Sequence, residues 1–243
     1  MIRLDELMVQ KGLAASRKEA EALVLAGRVF SDGRRLDKAG LSVKETIAIE
    51  VAAPAIPFVS RGGLKLLHAL EAFGLVVTGK TCLDLGCSTG GFTDCLLQTG
   101  ARRIIAVDVG YGILDAKLRH DPRVVLKERT NARHMKRSDL GETIDLAVAD
   151  LSFISLAAVI PNVQRELRVP EWICLFKPQF EVEPKFVRKG GVVTDEVAIQ
   201  ASLAAMKGCL AASGLQEASA PIPSPILGKR SGNTEYLIHY RVV

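Results

Sequence analysis

The sequence predicts an α/β protein, in which a doubly wound, mostly parallel sheet follows a small α+β unit. From residue 60 onward, short apolar runs rich in β-branched residues alternate with segments of helical periodicity. This alternation is typical of parallel strands joined by helices, and binding sites form where the carboxyl ends of such strands meet. Prolines at positions 54 and 57 interrupt the pattern before it begins, and 243 residues suffice for a small domain and a larger one.

The first fifty residues predict two helices and several short strands. Apolar residues share one face of a helix that begins near Leu4 and ends at Gly12. The segment 16–19 has the form of a capping box, in which the serine hydroxyl accepts a backbone N–H and the glutamate reaches back. Residues 29–30 and the alternating apolar residues of 47–51 predict strands around a turn.

A connector separates this unit from the rest of the chain. Pro54 and Pro57 stand three residues apart and favour extended backbone, so we place the boundary near residue 55. The predicted organisation is a small domain over 1–54, a linker over 55–60 and a large domain over 61–243. Ser60 is expected to cap the first helix of the large domain.

The large domain is organised around a glycine-rich stretch, residues 83–94. An apolar strand over 81–85 turns through glycines into a helix over 92–99, which leaves backbone N–H groups facing the turn. Gly86 can supply a positive φ, and Gly90 and Gly91 leave room for a ligand to approach. The spacing is Asp-x-Gly-x-x-x-Gly-Gly and not the dinucleotide pattern Gly-x-Gly-x-x-Gly. A tight turn with no ligand is the alternative.

The remaining elements continue the alternation. We predict strands over 103–107, 123–126, 144–149, 172–176, 215–220 and 236–242, and helices over 112–119, 154–163 and 194–212.

Composition and charge exclude several classes of protein. Five cysteines without C-x-x-C spacing argue against a disulfide framework or a zinc site and for free thiols in a reducing cytosol. No run of about 18 apolar residues is present, and the acidic start does not resemble a signal peptide, so we expect no membrane partner and a cytoplasmic location. The net charge of +5 suits an anionic partner such as RNA, although a solvated charged surface is the common alternative.

The glycine stretch resembles the S-adenosylmethionine loop of Rossmann-like, class I methyltransferases, which makes S-adenosylmethionine the expected cofactor. In this fold, an acid at the position of Asp108, after the second strand, accepts hydrogen bonds from ribose hydroxyls. Asn131, after the third strand, is a candidate for reading adenine, although asparagine is also common in turns. The full set of expected cofactor-binding residues is Gly86, Ser88, Gly90, Gly91, Asp108, Asn131 and Asp150.

The absence of two motifs restricts which kind of atom is expected to receive the methyl group. Asp150 is followed by Leu-Ser, whereas methyltransferases that act on amino groups carry two prolines there. No Pro-Cys dipeptide is present, which argues against a cytosine-C5 mechanism. Because both motifs are missing, transfer of the methyl group to an oxygen atom is the reaction that remains. Four charged residues match, in order, the Lys-Asp-Lys-Glu tetrad of ribose 2′-O-methyltransferases of the FtsJ class: Lys65, Asp150, Lys177 and Glu235.

The chain as a whole resembles the hemolysin A (TlyA) type of ribosomal RNA methyltransferase. The resemblance rests on the glycine stretch and on four strings, residues 60–66, 150–155, 177–181 and 232–236. It implies 2′-O-methylation of cytidine in ribosomal RNA, with ribosomal RNA or ribosomal subunits as partners and no metal. A neutral lysine would act as the base, and a second ammonium nearby would favour the neutral form.

The N-terminal unit resembles the small RNA-binding domain of a ribosomal small-subunit protein, through residues 3–5, 16–18 and 26–29. Its candidate RNA-binding residues, which we expect to cluster at the start of the second helix, are Arg3, Arg17, Lys18 and Arg28.

Two other functions stay open for the chain as a whole. One is an RNA-binding assembly factor without catalysis, which loss of a tetrad residue would favour, and the other is a membrane-lysing hemolysin. The sequence indicates no oligomeric state.

Overall fold

The computed structural model describes residues 1–25, 27–52, 56–228 and 231–242. The chain divides into two compact units, Met1–Pro57 and Phe58–Val243. Two residues at the predicted boundary, Pro54 and Ala55, lie outside the described residues. The exact limits predicted for the small domain, the linker and the large domain therefore stay predictions.

The first unit packs two helices against short strands. Its elements are β1 (Ile2–Arg3), α1 (Leu4–Gln10), α2 (Arg17–Leu25), β2 (Val29–Ser31), β3 (Arg34–Arg35), β4 (Ser42–Val43) and β5 (Glu50–Val51). The strands form a pair, β1-β4, and a three-stranded sheet, β3-β2-β5. Leu4, Met8, Ala20 and Val24 fill the small core between the helices, as the apolar periodicity of both segments predicts.

The expected cap of α2 forms with one difference. Ser16 Oγ accepts the backbone N–H of Glu19 at 3.2 Å, as predicted, but the Glu19 carboxylate accepts the N–H of Ala15 at 2.7 Å and not that of the serine. The strand predicted over 47–51 is limited to its last two residues.

The second unit is built on one seven-stranded sheet. Its strands are β6 (Thr81–Leu85), β7 (Arg103–Val107), β8 (Val124–Lys127), β9 (Leu146–Ala149), β10 (Glu171–Phe176), β11 (Leu215–Pro223) and β12 (Tyr236–Val242), in the order β11-β12-β10-β9-β6-β7-β8. Strands β6 to β10 run parallel, whereas β12 is antiparallel to both β10 and β11. The predicted doubly wound, mostly parallel sheet is therefore confirmed.

Helices connect the strands of this sheet. They are α3 (Gly62–Ala72), α4 (Gly91–Gln98), α5 (Ala116–Arg119), α6 (Ile160–Leu167), α7 (Pro178–Glu181) and α8 (Glu196–Ala211). Fully buried Leu83, Ile105, Val163 and Trp172 are among the core residues. Trp172 Nε1 donates to Gln164 Oε1 at 2.9 Å, which gives the indole N–H a partner inside the core.

Two predicted helices are shorter than expected. The segment predicted helical over 112–119 is helical only from Ala116, because Gly112 adopts a φ of 70° and Asp115 caps the helix by accepting the N–H of Lys117. The helix predicted over 154–163 is divided into a 3-10 turn at Leu156–Ala158 and α6, with Pro161 in the first turn of α6. The short helix α7 was not predicted.

Strand β11 lies at one edge of the sheet and pairs irregularly with β12. The register shifts between Glu217 and Ser219 and again between Ser219 and Ile222. Prolines at 221 and 223 fall within the same strand, and they remove two backbone donors from it.

Gly90 offers a direct test of packing at the glycine turn. Its φ is 98°, and a Cβ there would lie 2.2 Å from a methyl group of Leu118. A strained backbone position alone costs roughly 1–3 kcal/mol, and the clash with Leu118 adds to that cost. We therefore expect Gly90→Ala to lower the free energy of unfolding by at least about 1 kcal/mol. Urea denaturation measures this value.

Gly208 supplies the matched control. It lies within α8 with no neighbouring atom in reach of a Cβ, so Gly208→Ala should stabilise the protein by roughly 0.5–1 kcal/mol. Equal stability of Gly90→Ala and wild type would contradict the packing role of Gly90.

Candidate active site

A single cleft lies along the carboxyl edge of the parallel strands. A cavity of about 460 Å³ is lined by Gly86, Asp108 and Asn131, and a second of about 680 Å³ is lined by Lys65, Lys177 and Glu235. Both cavities are also lined by Ser88, Ser152 and Phe153. A third space of about 320 Å³ touches Lys65, Asp150 and the glycine turn. The cleft therefore has two main cavities, a smaller one of about 460 Å³ and a larger one of about 680 Å³, and both share Ser88 with the third space at the glycine loop.

Four charged side chains, far apart in sequence, meet as two ion pairs. The ammonium of Lys65 contacts Glu235 Oε2, and Lys177 Nζ lies 2.5 Å from Asp150 Oδ1. Lys177 Nζ also donates to Ser152 Oγ at 3.0 Å. Lys177 is 8% exposed and Glu235 is 3% exposed, so the two pairs are largely withdrawn from water. Each lysine thus faces a carboxylate, and Lys65 and Lys177 both line the larger cavity.

The positions of these four residues follow from the fold. Lys65 lies in the first turns of α3, Asp150 directly follows β9, Lys177 directly follows β10, and Glu235 precedes β12. The backbone N–H of Asp150 continues the ladder by donating to Leu85 O at 3.0 Å. Because neighbouring strands end at one edge, residues that directly follow them are brought together.

Glu181 fixes the loop that follows Asp150. Its carboxylate accepts the Ser155 hydroxyl at 2.6 Å and the backbone N–H of Leu156 at 2.8 Å. Burial raises the pKa of Glu181 above its usual range, against the effect of these two hydrogen bonds. The contact ties the loop after β9 to α7, the helix that follows Lys177.

Phe153 is a feature of the cleft that sequence reasoning missed. It is 81% exposed and has a φ of 66°, which is uncommon for a residue with a bulky side chain. Its ring lies 5.2 Å from the ring of Phe180, centroid to centroid, at the wall of the larger cavity. The sequence signal was a large aromatic residue in the loop that follows β9.

Asp108 lies at the rim of the smaller cavity with a fixed orientation. Its carboxylate accepts the backbone N–H of Ser88 at 2.8 Å and that of Gly110 at 2.7 Å. Asn131 also lines this cavity, and its Oδ1 accepts the N–H of Arg133 at 3.1 Å. The asparagine oxygen is therefore engaged in a turn, and its amide nitrogen is the group left for a ligand.

The glycines of the loop pack against protein atoms. At Gly86 a Cβ would lie 2.6 Å from the carbonyl oxygen of Asp150, and at Gly91 it would lie 2.2 Å from Ser60 Oγ. At Gly90 the obstacle is Leu118. Gly86 and Gly91 also line the cleft, but Gly90 was expected to admit a ligand and instead faces the core.

Asp84, the first residue of the glycine motif, is fully buried. Thr93 Oγ1 donates to its Oδ2 at 2.6 Å, whereas Oδ1 has no hydrogen-bond partner among the described residues. Burial raises the pKa of Asp84 from 3.8 to about 7, and the charges of Asp150 and Asp108 add to the effect.

The basic residues predicted in the N-terminal unit are only partly brought together. Arg3 and Arg17 both contact the buried carboxylate of Asp5, at 2.7 and 3.3 Å, and the hydrogen bond from Arg3 lowers the pKa of Asp5 to about 2. Lys18 is exposed in the first turn of α2. Arg28 follows the opposite end of that helix and donates to Ala52 O at 2.8 Å, so its expected place at the helix start is wrong.

Residues 101–140 carry ten Lys and Arg against five Asp and Glu, and part of this positive charge is neutralised within the second unit. Arg103 pairs with Glu142 at 2.6 Å, Arg119 with Glu128 at 2.7 Å, and Arg123 with Asp121 at 2.8 Å.

In the part of the chain that the structure describes, no helix is long and apolar enough to cross a membrane. Nor does any group of three or more His, Cys, Asp and Glu residues in those ranges form a candidate metal site.

Comparison with known proteins identifies the family. Residues 58–242 match the FtsJ-like methyltransferase family, and residues 2–46 match the S4 domain. A 16S/23S rRNA (cytidine-2′-O)-methyltransferase TlyA of Mycobacterium tuberculosis is 45% identical over 98% of this chain and 89% of that protein. The chain belongs to the TlyA (hemolysin A) family of FtsJ-like methyltransferases.

Two further relatives of this TlyA family member agree with that assignment. Hemolysin A of Brachyspira hyodysenteriae is 42% identical over 98% of this chain and 99% of that protein. A solved structure of a candidate hemolysin from Streptococcus thermophilus is 35% identical and superposes with a TM-score of 0.75, covering 99% of this chain and 88% of that one. The resemblance and the fold class that the sequence predicted are both confirmed.

Titration of Asp84 should make stability depend on pH. An acid whose pKa is higher in the folded state binds its proton more tightly when folded, so stability falls as pH rises from about 4 to 7. We expect Asp84→Asn, which cannot ionise, to be more stable than wild type at pH 8 by a few kcal/mol and to differ little at pH 4. Denaturant titrations across this range measure the difference.

Glu166→Gln serves as the control, because Glu166 is an exposed acid on α6. A constant difference between Asp84→Asn and wild type from pH 4 to 8 would contradict the raised pKa of Asp84.

Proposed function

We propose that this protein transfers a methyl group from S-adenosylmethionine to the ribose 2′-hydroxyl of a cytidine in ribosomal RNA. The observation that carries the proposal is the meeting of Lys65, Asp150, Lys177 and Glu235 beside the glycine loop. Relatives covering nearly the whole chain support the substrate class, since the Mycobacterium tuberculosis protein is named as a methyltransferase of this kind. Its place of action would be the cytoplasm.

The residues of the smaller cavity suit S-adenosylmethionine. Asp108 would hold the ribose hydroxyls through its carboxylate, Asn131 would meet adenine through its amide nitrogen, and Gly86 and Ser88 of the glycine turn line the same cavity. Asp150 lies where this cavity meets the ion pairs. When bound, the cofactor supplies a methyl group that is already activated for displacement.

The larger cavity would then hold the target nucleotide. A ribose hydroxyl is a weak nucleophile, so a base must take its proton as the new oxygen–carbon bond forms. We assign this role to Lys177 in its neutral amine form: the 2′-hydroxyl gives its proton to the lone pair of Nζ as the methyl group leaves the cofactor's sulfur, and Asp150 stabilises the ammonium that results. Ser152 holds Nζ from the other side. Glu235 fixes Lys65, whose ammonium lines the same cavity and can hold the ribose or its phosphate.

The 2′-hydroxyl also sets the type of nucleic acid, because DNA lacks it. The N-terminal unit would hold the RNA through Arg3, Arg17 and Lys18 at the start of α2, with Arg28 as a separate contact. Phosphate contacts of this kind position the RNA without reading its sequence.

The deciding experiment is incubation with labelled S-adenosylmethionine and ribosomal subunits or naked ribosomal RNA, followed by nucleoside mapping. The proposal expects 2′-O-methylcytidine at a defined position. Label in a base, or no label in any RNA, would overturn it.

Variants of Lys177 test the proposed base. We expect Lys177→Ala and Lys177→Arg both to lower the rate of methyl transfer at least ~100-fold, because arginine keeps the charge but does not accept a proton. Binding of S-adenosylmethionine, measured by calorimetry, should survive in both variants.

Lys207→Ala is the control for lost charge, since Lys207 lies on α8 and pairs with Glu217 of β11, and neither residue lines the cleft. Substantial activity in Lys177→Arg would mean that this position acts through its charge alone. Loss of cofactor binding together with activity would mean that Lys177 is structural.

Charge removal in the N-terminal unit tests its proposed contact with RNA. The double variant Arg17→Ala/Lys18→Ala should bind ribosomal RNA more weakly, with the slope of log affinity against log salt reduced by about 1–2. Filter binding at several salt concentrations measures this slope.

Lys11→Ala/Lys44→Ala removes the same charge from exposed positions of the same unit. Equal weakening in both double variants would indicate a general effect of net charge and would contradict a specific contact at α2.

A further inference from the structure

The amide of Asn233 joins three segments beside the larger cavity. It is buried, its Oδ1 accepts the backbone N–H of Val193 at 3.0 Å, and its Nδ2 donates to Gly191 O at 2.9 Å and to Gln179 Oε1 at 2.8 Å. Asn233 is two residues before Glu235, and Gln179 is two residues after Lys177. The network therefore lies next to both ion pairs.

These hydrogen bonds determine which way the amides point. A backbone N–H can only donate, so the atom of Asn233 that faces Val193 must be its oxygen, and its nitrogen must face Gln179. Gln179 must in turn present its oxygen to Asn233. The orientation of the Gln179 side chain is thus fixed by a chain of donors and acceptors that begins at the backbone.

The amide nitrogen of Gln179 is left with both of its N–H groups available. It forms no hydrogen bond within the described ranges, and Gln179 lines the 680 Å³ cavity together with Lys177 and Phe180. The cavity therefore shows a fixed donor, on the same wall as the proposed base and beside aromatic rings that a nucleobase can contact.

We propose that Gln179 is a specificity-determining residue that selects cytidine over uridine through this fixed donor. The inference rests on the proposed function, because a ribose held at Lys177 brings its own base within reach of the residue two positions later. Cytosine offers two adjacent acceptors, O2 and N3, which an amide N–H₂ can meet. Uracil carries a hydrogen on N3, so the same site would set a donor against a donor.

The isosteric variant Gln179→Glu replaces the amide donor with an acceptor and keeps the hydrogen bond from Asn233. One carboxylate oxygen still accepts from Asn233 Nδ2, while the other shows the cavity an acceptor that suits the N3–H of uracil. Gln179→Met removes both donor and acceptor at similar size. Gln200→Glu, at an exposed position of α8, controls for the added negative charge.

The test uses the full chain and a ribosomal RNA fragment that contains the nucleotide methylated by wild type, with cytidine or uridine at that position. We expect the ratio of kcat/KM for cytidine to that for uridine to fall at least tenfold in Gln179→Glu and severalfold in Gln179→Met, and to stay at the wild-type value in Gln200→Glu. Affinity for the two fragments without cofactor, measured by fluorescence anisotropy, should move in the same direction.

Three outcomes are decisive. A ratio within twofold of wild type in Gln179→Glu, with methyl transfer intact, would overturn the role of Gln179 and leave the proposed function standing. Preference of wild type for the uridine fragment would overturn it as well. Absence of any transfer by wild type would overturn the proposed function, and this inference with it.

Discussion

Two ion pairs between lysines and carboxylates stabilise the carboxyl edge of the sheet. Lys177 and Glu235 are nearly buried, and a buried charge is tolerated only when an opposite charge and hydrogen bonds meet it. Each pair joins two elements: Lys65 of α3 to the start of β12, and Lys177 at the end of β10 to Asp150 at the end of β9. The pairs therefore place their own charges and also fix the distances between the elements that form the cleft.

Much of the fold was predictable because its signals are local. The strand over 81–85, the glycines after it and the apolar strands that follow are read within a few residues, and the structure has them almost where they were expected. The errors occur where a local signal competes with periodicity. Asp115 caps a helix that apolar spacing alone would begin earlier, and Pro161 begins a new helix inside a segment of continuous periodicity.

The candidate site, like the fold, was predictable only where its signals are local. Each tetrad residue was identified by motif order, but the pairing of Lys65 with Glu235 joins positions 170 residues apart and depends on the order of strands in the sheet. The exposed ring of Phe153 and the hydrogen bonds of Asn233 likewise depend on contacts that no spacing encodes. Gly90 was assigned to the ligand because the absence of a Cβ is a local property, whereas the position of Leu118, which a Cβ at Gly90 would overlap, is not.

The irregular pairing of β11 has a consequence for the molecule in solution. An edge strand with a long row of free N–H and C=O groups invites another chain to extend the sheet. In β11 two register shifts and two prolines divide that row into short pieces. A neighbouring polypeptide would find few consecutive hydrogen-bonding groups on this margin of the sheet, which protects it against strand-by-strand aggregation.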